Sequence, residues 1–180
     1  VALTVTDNGG LSRSASTSVP VVDDPAWIFP VLPASLSEGW SDAALAVDGN
    51  PKTGARGPAT RSDWTKYITF SAPIEGFLCN GIRFRITFPE PSVRKERKAP
   101  GGAATAQSPS QSGPTALRWQ VDVRTSDGWI TVHEGTSVRD QWIYVPILPQ
   151  YIMDVALRAR GDGSADLEPV LLEINLHHAS

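Results

Sequence analysis

Short runs of alternating apolar and polar residues recur along the chain from Ala34 onward. Turn residues separate six such runs, and the one stretch with helical period covers only about two turns near residues 41–47. Alternation with a period of two predicts strands with one buried face. The pattern predicts an all-β fold, either an antiparallel sandwich or a jelly roll. The runs are KYITFSAP, GIRFRITFP, LRWQVDVRTSDGWITVHEG, QWIYVPILP, MDVALRARG and VLLEINLHH.

The first segment, residues 1–22, alternates on both sides of D-N-G-G. This pattern predicts a β-hairpin whose tight turn needs positive φ angles. Because a lone hairpin is marginally stable in water, we expect these strands to pair with another sheet. Residues 23–33, DDPAWIFPVLP, are punctuated by proline and predict a linker that continues along a domain surface. The main domain is expected to cover residues 34–178.

A long segment, residues 89–116, interrupts the strand pattern. It contains R-K-E-R-K followed by a mixture of Gly, Ala, Ser, Pro and Gln that buries little apolar surface. We therefore predict a long loop. A solvated insertion is the favoured interpretation, and a docking arm for an acidic polymer or a partner chain is the alternative.

Composition narrows the possible functions. The chain has 180 residues, enough for one buried core of about 150 residues with a small appendage. Its net charge is −3 and its basic residues lack interleaved aromatics, so nucleic acid is not an expected partner. No uninterrupted apolar run approaches about 18 residues, so no membrane span is expected. The single cysteine, Cys79, is predicted to be a buried small hydrophobe.

The turn V-D-G-N-P-K-T is a candidate metal site. Asp48, Asn50 and Thr53 offer three side-chain oxygens within it. Ca²⁺ takes about six to eight oxygen ligands, and Glu173 on the last predicted strand is a candidate for another. The alternative is an Asp-Gly turn whose side chains cap their own backbone.

Trp40, just before that turn, is the candidate for sugar binding. An aromatic ring stacks on the apolar face of a sugar, and Asp42 is a candidate hydroxyl partner. Arg139 and Trp142 lie in a later connection and are further candidates, although the sequence does not place them at the same end of the domain as Trp40.

Catalysis has little support in the sequence. The three histidines are His133, in a predicted strand, and the pair His177 and His178, which we expect to form a solvated terminus. A nucleophile would need a histidine and an orienting acid beside it. Adjacent histidines in a strand point to opposite faces, which disfavours zinc binding. We therefore predict a non-catalytic protein.

The order of motifs after residue 34 resembles the discoidin family, also called the coagulation factor 5/8 C-type or galactose-binding-like domain. The matching segments are ASLSEGWSDAALAVDGNPKT, DWTKYITFSAP, GIRFRIT, WQVDVRTSDGWITV and LLEINL. The resemblance implies a discoidin-like antiparallel β-sandwich. It implies a structural Ca²⁺ held by the 48–53 turn and Glu173, and a ligand held by loops, the first at residues 37–42. The insertion at 89–116 and the segment TGARG depart from the family pattern.

Residues 1–22 resemble the last two strands of a polycystic-kidney-disease (PKD) repeat, an immunoglobulin-type sandwich. The two resemblances together imply a carbohydrate-binding or adhesive module of a secreted or cell-surface multidomain protein, with a glycan or another extracellular ligand as partner. It could serve as an accessory module of a larger glycan-active enzyme. The alternative is a structural or assembly subunit of an extracellular complex or filament, in which the hairpin and the long loop contact neighbouring subunits.

Overall fold

The protein is almost entirely β-structure, as the alternation predicts. A computed structural model describes residues 26–32, 39–89, 116–137 and 139–179, and the backbone of residues 2–6 and 12–16. The described residues form eleven strands and a short 3₁₀ helix at Ala43–Ala46, where the helical turn was expected. The strands are β1 Ala2–Thr6, β2 Ser12–Ser16, β3 Trp27–Ile28, β4 Ala55–Arg56, β5 Ile68–Ser71, β6 Phe77–Thr87, β7 Leu117–Thr125, β8 Gly128–Ser137, β9 Gln141–Ile152, β10 Asp154–Gly161 and β11 Val170–His178.

Two antiparallel sheets form a sandwich. The four-stranded sheet has the order β5-β10-β7-β8. The five-stranded sheet has the order β3-β11-β6-β9, with β4 paired to β11. The six alternating runs of the sequence supply β5 to β11, which confirms the predicted all-β sandwich. No helix in the described part of the chain is long and apolar enough to cross a lipid bilayer.

The core lies between the two sheets because alternate residues of each strand point inward. In β6, Ile82, Phe84 and Ile86 are fully buried, whereas Arg83 and Arg85 between them face outward. Each large apolar side chain removed from water contributes about 1.5–3 kcal/mol. The alternation leaves two outer faces, one on each sheet, for polar and aromatic side chains.

The N-terminal strands pair as predicted. β1 and β2 are antiparallel, from Ala2 opposite Ser16 to Thr6 opposite Ser12, and the D-N-G-G turn lies outside the described residues. No pairing among the described strands joins this hairpin to either sheet of the sandwich. Residues 90–115 of the predicted insertion at 89–116 also lie outside the described part.

The predicted linker contains a strand of the sandwich. Trp27 and Ile28 pair with His177 and Leu176, so β3 forms an edge of the five-stranded sheet. The segment therefore does more than follow the surface of the domain: it adds Trp27 to an outer face.

The C-terminal strand continues through the two histidines. His177 and His178 are half-buried on β11, and the prediction of a solvated terminus is wrong. The His177 ring packs 4.8 Å from the Trp27 ring, and the His178 ring packs 5.2 Å from that of Phe77. Cys79, opposite His178, is buried as predicted, and this burial raises the pKa of its thiol.

Candidate functional site

Trp40 belongs to the core. Only 7% of the residue is exposed, and its indole N–H donates a hydrogen bond to the Lys66 carbonyl (2.8 Å). Its ring centroid lies 6.4 Å from that of Trp119. The prediction that Trp40 is a sugar-stacking plate is wrong, because the ring packs inward against the end of the sandwich.

Asp42 is exposed beside this buried ring. It has a positive φ of 57° and begins the 3₁₀ helix, where its carbonyl accepts a hydrogen bond from the N–H of Leu45 (2.8 Å). Its carboxylate forms no capping hydrogen bond. The pair of Trp40 and Asp42 therefore does not form the predicted sugar site, and residues 37 and 38 of the predicted 37–42 loop lie outside the described residues.

The 48–53 turn gathers oxygen atoms. The backbone N–H of Asn50 donates to Asp48 Oδ1 (2.8 Å), and the Thr53 hydroxyl donates to Asp48 Oδ2 (2.7 Å). The same hydroxyl lies 3.0 Å from the Asn50 carbonyl oxygen. The amide oxygen of the Asn50 side chain accepts from the N–H of Lys52 (3.1 Å) instead. The geometry agrees with both a self-capped turn and a cluster of hard oxygen ligands.

This turn lies against the closing strand. A Cβ added at Gly54 would stand 2.7 Å from the carbonyl oxygen of Leu171, so the chain passes close to β11 two residues before Glu173. Glu173 is half-buried, and its register partner on β6 is Arg85. Among the described residues, no three His, Cys, Asp or Glu side chains cluster in a way that could hold a metal ion.

Arg139 and the 48–53 turn line the same basic cleft. The cleft has a volume of about 380 Å³, within the range of ligand pockets, and three cations line it: Lys52, Arg56 and Arg139. No acidic side chain of the described residues lines it. Thr87, at the end of β6, forms part of its wall. Arg139 therefore lies beside the 48–53 turn, a placement that the sequence left open. The positive charge of the cleft favours an anionic ligand.

Trp142 lies on the outer face of the five-stranded sheet with other aromatic residues. The Arg83 guanidinium lies 4.6 Å from the Trp27 ring and 5.1 Å from the Trp142 ring, and its Nε donates to the side-chain oxygen of Asn175 (2.8 Å). Tyr144 packs edge-on to Trp27 with centroids 5.7 Å apart. Trp142 and Tyr144 remain 41% and 57% exposed. We call Trp27, Arg83, Trp142 and Tyr144 the aromatic face.

The aromatic face leads into the basic cleft along β6. Every second residue of β6 from Arg83 to Thr87 faces the same side of the sheet. The four steps from Arg83 to Thr87 span about 13 Å. Arg85 pairs with Trp142, and its Nε is buried without a hydrogen-bond partner among the described residues. An orphaned buried donor of this kind is uncommon in folded proteins. β6 therefore contributes Arg83 to the aromatic face and Thr87 to the wall of the cleft.

Sequence reasoning found only part of this surface. It selected Trp142 and Arg139, but it missed Arg83 and Tyr144 and placed Trp27 in a linker. The alternation in QWIYVPILP already places Trp142 and Tyr144 on one face of a strand. The position of Trp27 carries no such signal, because it depends on the pairing of β3 with β11.

No protein-family model matches the sequence, and a comparison with curated proteins gives no significant match. Similar solved structures are carbohydrate-binding modules. The CBM32 of AlyQ, in complex with 4,5-unsaturated mannuronic acid, has a TM-score of 0.52 and 12% identity, and the match covers 85% of this chain and 98% of that one. The family 32 module of C. perfringens NanJ, in complex with galactose, has a TM-score of 0.51 and 16% identity over 80% and 90% of the two chains.

A truncated AlyQ with CBM32 and alginate lyase domains has a TM-score of 0.53 and 12% identity, and covers 86% of this chain. The match spans only 34% of that longer chain. At these identities the similarity concerns the fold, and it confirms the predicted galactose-binding-like, or discoidin-like, β-sandwich.

Proposed function

We propose that the chain is a non-catalytic carbohydrate-binding module whose glycan lies across the aromatic face and the basic cleft. The observation that carries this proposal is the Arg83 guanidinium between the rings of Trp27 and Trp142, beside the exposed Tyr144. Aromatic rings stack on the apolar faces of sugars, while guanidinium groups donate to hydroxyl and carboxylate oxygens.

The charge of this surface favours an acidic glycan. Arg83 and Arg85 follow one side of β6 towards the cleft, where Lys52, Arg56 and Arg139 converge. Bidentate contacts to a carboxylate are the strongest hydrogen bonds that arginine makes. The similar module of AlyQ was solved with an unsaturated mannuronic acid, which is an acidic sugar. We therefore favour uronic-acid polysaccharides over neutral ones for this site.

The test is affinity electrophoresis of Trp142→Ala in gels that contain alginate. We expect retention to fall about tenfold, because an aromatic contact contributes about 0.5–1.5 kcal/mol beyond its buried area and 1.4 kcal/mol is tenfold. The fold should survive, since Trp142 is exposed. Raising the ionic strength should also weaken retention of the wild-type protein, because salt screens exposed charges.

Leu148→Ala is the matched control. Leu148 is an exposed residue of the same strand, β9, and is not part of the aromatic face. Shortening its side chain therefore shows how much retention changes when any large exposed side chain of β9 is lost. Retention equal to that of Trp142→Ala would contradict the proposal. Absence of retention of the wild-type protein on every polysaccharide would favour the alternative, a structural or assembly subunit that contacts neighbouring subunits.

We further propose that the module works outside the cell, in a secreted or cell-surface protein, where polysaccharides are its targets. The AlyQ structure joins a similar module to an alginate lyase domain in one chain. This arrangement supports an accessory role beside a catalytic domain. The PKD-like identity of residues 1–22 remains part of the same proposal.

We also propose that the 48–53 turn holds a structural Ca²⁺. The Thr53 hydroxyl lies 2.7 Å from the Asp48 carboxylate and 3.0 Å from the Asn50 carbonyl oxygen, and three oxygen atoms gathered in this way suit a hard cation. Glu173 would add a second carboxylate from β11. A bound cation would tie the turn to the closing strand and so stabilise one wall of the basic cleft.

Millimolar Ca²⁺ should raise the melting temperature above its value in chelator. A ligand that binds only the folded state stabilises it by about 2.7 kcal/mol at one hundred times its Kd. Asp48→Asn should remove most of the difference, whereas Asp127→Asn, in the exposed turn between β7 and β8, should retain it. Equal melting temperatures of the wild-type protein in Ca²⁺ and in chelator would argue against the site.

A further inference from the structure

A second cleft lies on the outer face of the four-stranded sheet. Each of its four strands contributes one residue to a row across the sheet: Thr69, Ala156, Asp122 and Thr131. Ala156 is small, whereas Tyr67 and Trp129 beside the row are large, so the middle of the row is a depression. The resulting cleft has a volume of about 370 Å³, which is within the range of ligand pockets.

A hydrogen-bonded carboxylate forms the polar part of this cleft. Asp122 is only 8% exposed, and its two oxygens accept three hydrogen bonds, one from the Tyr67 hydroxyl (2.6 Å) and two from the Gln120 amide (2.9 and 3.2 Å). An ionised carboxyl group has about four acceptor positions, so these bonds leave room for about one further donor. Burial and the nearby Asp122 raise the pKa of Tyr67 to about 12, and its hydroxyl stays a donor at neutral pH.

Neighbouring side chains fix this network in place. Arg158 donates to the Gln120 side-chain oxygen (2.8 Å), and its guanidinium lies 4.7 Å from the Tyr67 ring and 4.8 Å from the Trp64 ring. Satisfied buried networks of this kind rigidify a site, and a rigid site loses less entropy on binding. Arg158 also offsets the charge of Asp122, which disfavours a strongly ionic ligand.

One wall of the cleft is aromatic and exposed. Trp129, on β8 opposite Arg124 and one row along from Asp122, lines the cleft and is 48% exposed. A ring at this position offers an apolar surface beside a buried hydrogen-bond acceptor. An apolar plate next to fixed acceptors matches the chemistry of a sugar ring, whose C–H faces are apolar and whose hydroxyls lie at its edge.

We propose that this cleft binds a neutral pyranose unit of a glycan chain. The sugar lies over Ala156 with one face against Trp129, and one of its hydroxyls donates to the remaining acceptor position of Asp122. The site is independent of the aromatic face and the basic cleft, because it is on the outer face of the other sheet. The inference therefore stands even if the acidic glycan proposed above does not bind.

The test is isothermal titration calorimetry with β-1,4-linked hexasaccharides of glucose and of galactose. Ala156→Leu fills the depression without removing a polar group, and Trp129→Ala removes the wall. We expect wild-type protein to bind at least one hexasaccharide and each variant to bind it at least tenfold more weakly. Trp129→Phe should retain part of the affinity, because a smaller ring still offers a flat apolar face.

Trp142→Ala is the control that separates the two sites. It should leave hexasaccharide binding unchanged while it weakens retention on alginate. The proposal is overturned if wild-type protein binds neither hexasaccharide at millimolar concentration, or if binding is lost in Trp142→Ala and kept in Trp129→Ala. Binding of a cationic glucosamine hexasaccharide alone would also overturn it, because the site would then be selecting charge.

Discussion

Replacing Trp40 with alanine should lower the free energy of unfolding by about 3–5 kcal/mol, the usual cost of removing a large buried aromatic side chain. The ring is buried beside Trp119, and a Cβ added at Gly57 would lie 3.0 Å from it. The Lys66 carbonyl would also lose its hydrogen bond from the indole. Urea denaturation monitored by circular dichroism measures the change in the free energy of unfolding.

Trp142→Ala is the matched comparison, because it removes the same side chain from an exposed position. Surface substitutions usually change stability by less than about 0.5 kcal/mol, although loss of the Arg83 contact will add to this. If Trp40→Ala instead lost glycan binding at unchanged stability, the ring would be a stacking plate and its burial in the structure would be contradicted.

Gly54→Ala should destabilise the protein by about 1–3 kcal/mol, the usual cost of overpacking a close contact. The added Cβ would lie 2.7 Å from the Leu171 carbonyl oxygen and 3.0 Å from the Leu172 Cα, both in the backbone of β11. The turn must then move away from the strand, so binding to alginate and any stabilisation by Ca²⁺ should fall as well. Thermal denaturation with and without Ca²⁺ measures both effects.

Gly81→Ala serves as the control for this substitution. The nearest atoms to its added Cβ are the Tyr144 hydroxyl at 3.2 Å and the His177 Cβ at 3.3 Å. Because the Tyr144 side chain is exposed, it can move aside, and we expect a smaller loss of stability. Equal stability of Gly54→Ala and wild type would show that the turn does not need close contact with β11.

The strands could be predicted from the sequence because their signal is local. The alternation in GIRFRITFP places Ile82, Phe84 and Ile86 on one face and the two arginines on the other, and the structure has this arrangement. The V-D-G-N-P-K-T segment likewise forms the expected turn, because Asp and Asn side chains bond to backbone a few residues away.

The site could be predicted only in part, because exposure depends on distant residues. The Trp40 indole donates to the carbonyl of Lys66, 26 residues away, and no local pattern reveals a contact of this kind. Trp27 contacts Arg83 only because β3 pairs with the last strand. Arg139 meets the 48–53 turn across the end of the sandwich. Periodicity tells which residues share a face, but not which faces the fold leaves uncovered.

The short strand β3 has a mechanical consequence. Trp27 and Ile28 are its only residues, and among the described residues the bond from the His178 N–H to the Ala26 carbonyl (2.8 Å) is the first one on this edge of the sheet. A pulling force applied to the chain before Ala26 acts on these few hydrogen bonds before it acts on those of the longer strands. The first side chain to peel away is Trp27, which packs against Arg83. A pull on the upstream segment would therefore take apart the aromatic face while the core of the sandwich still holds.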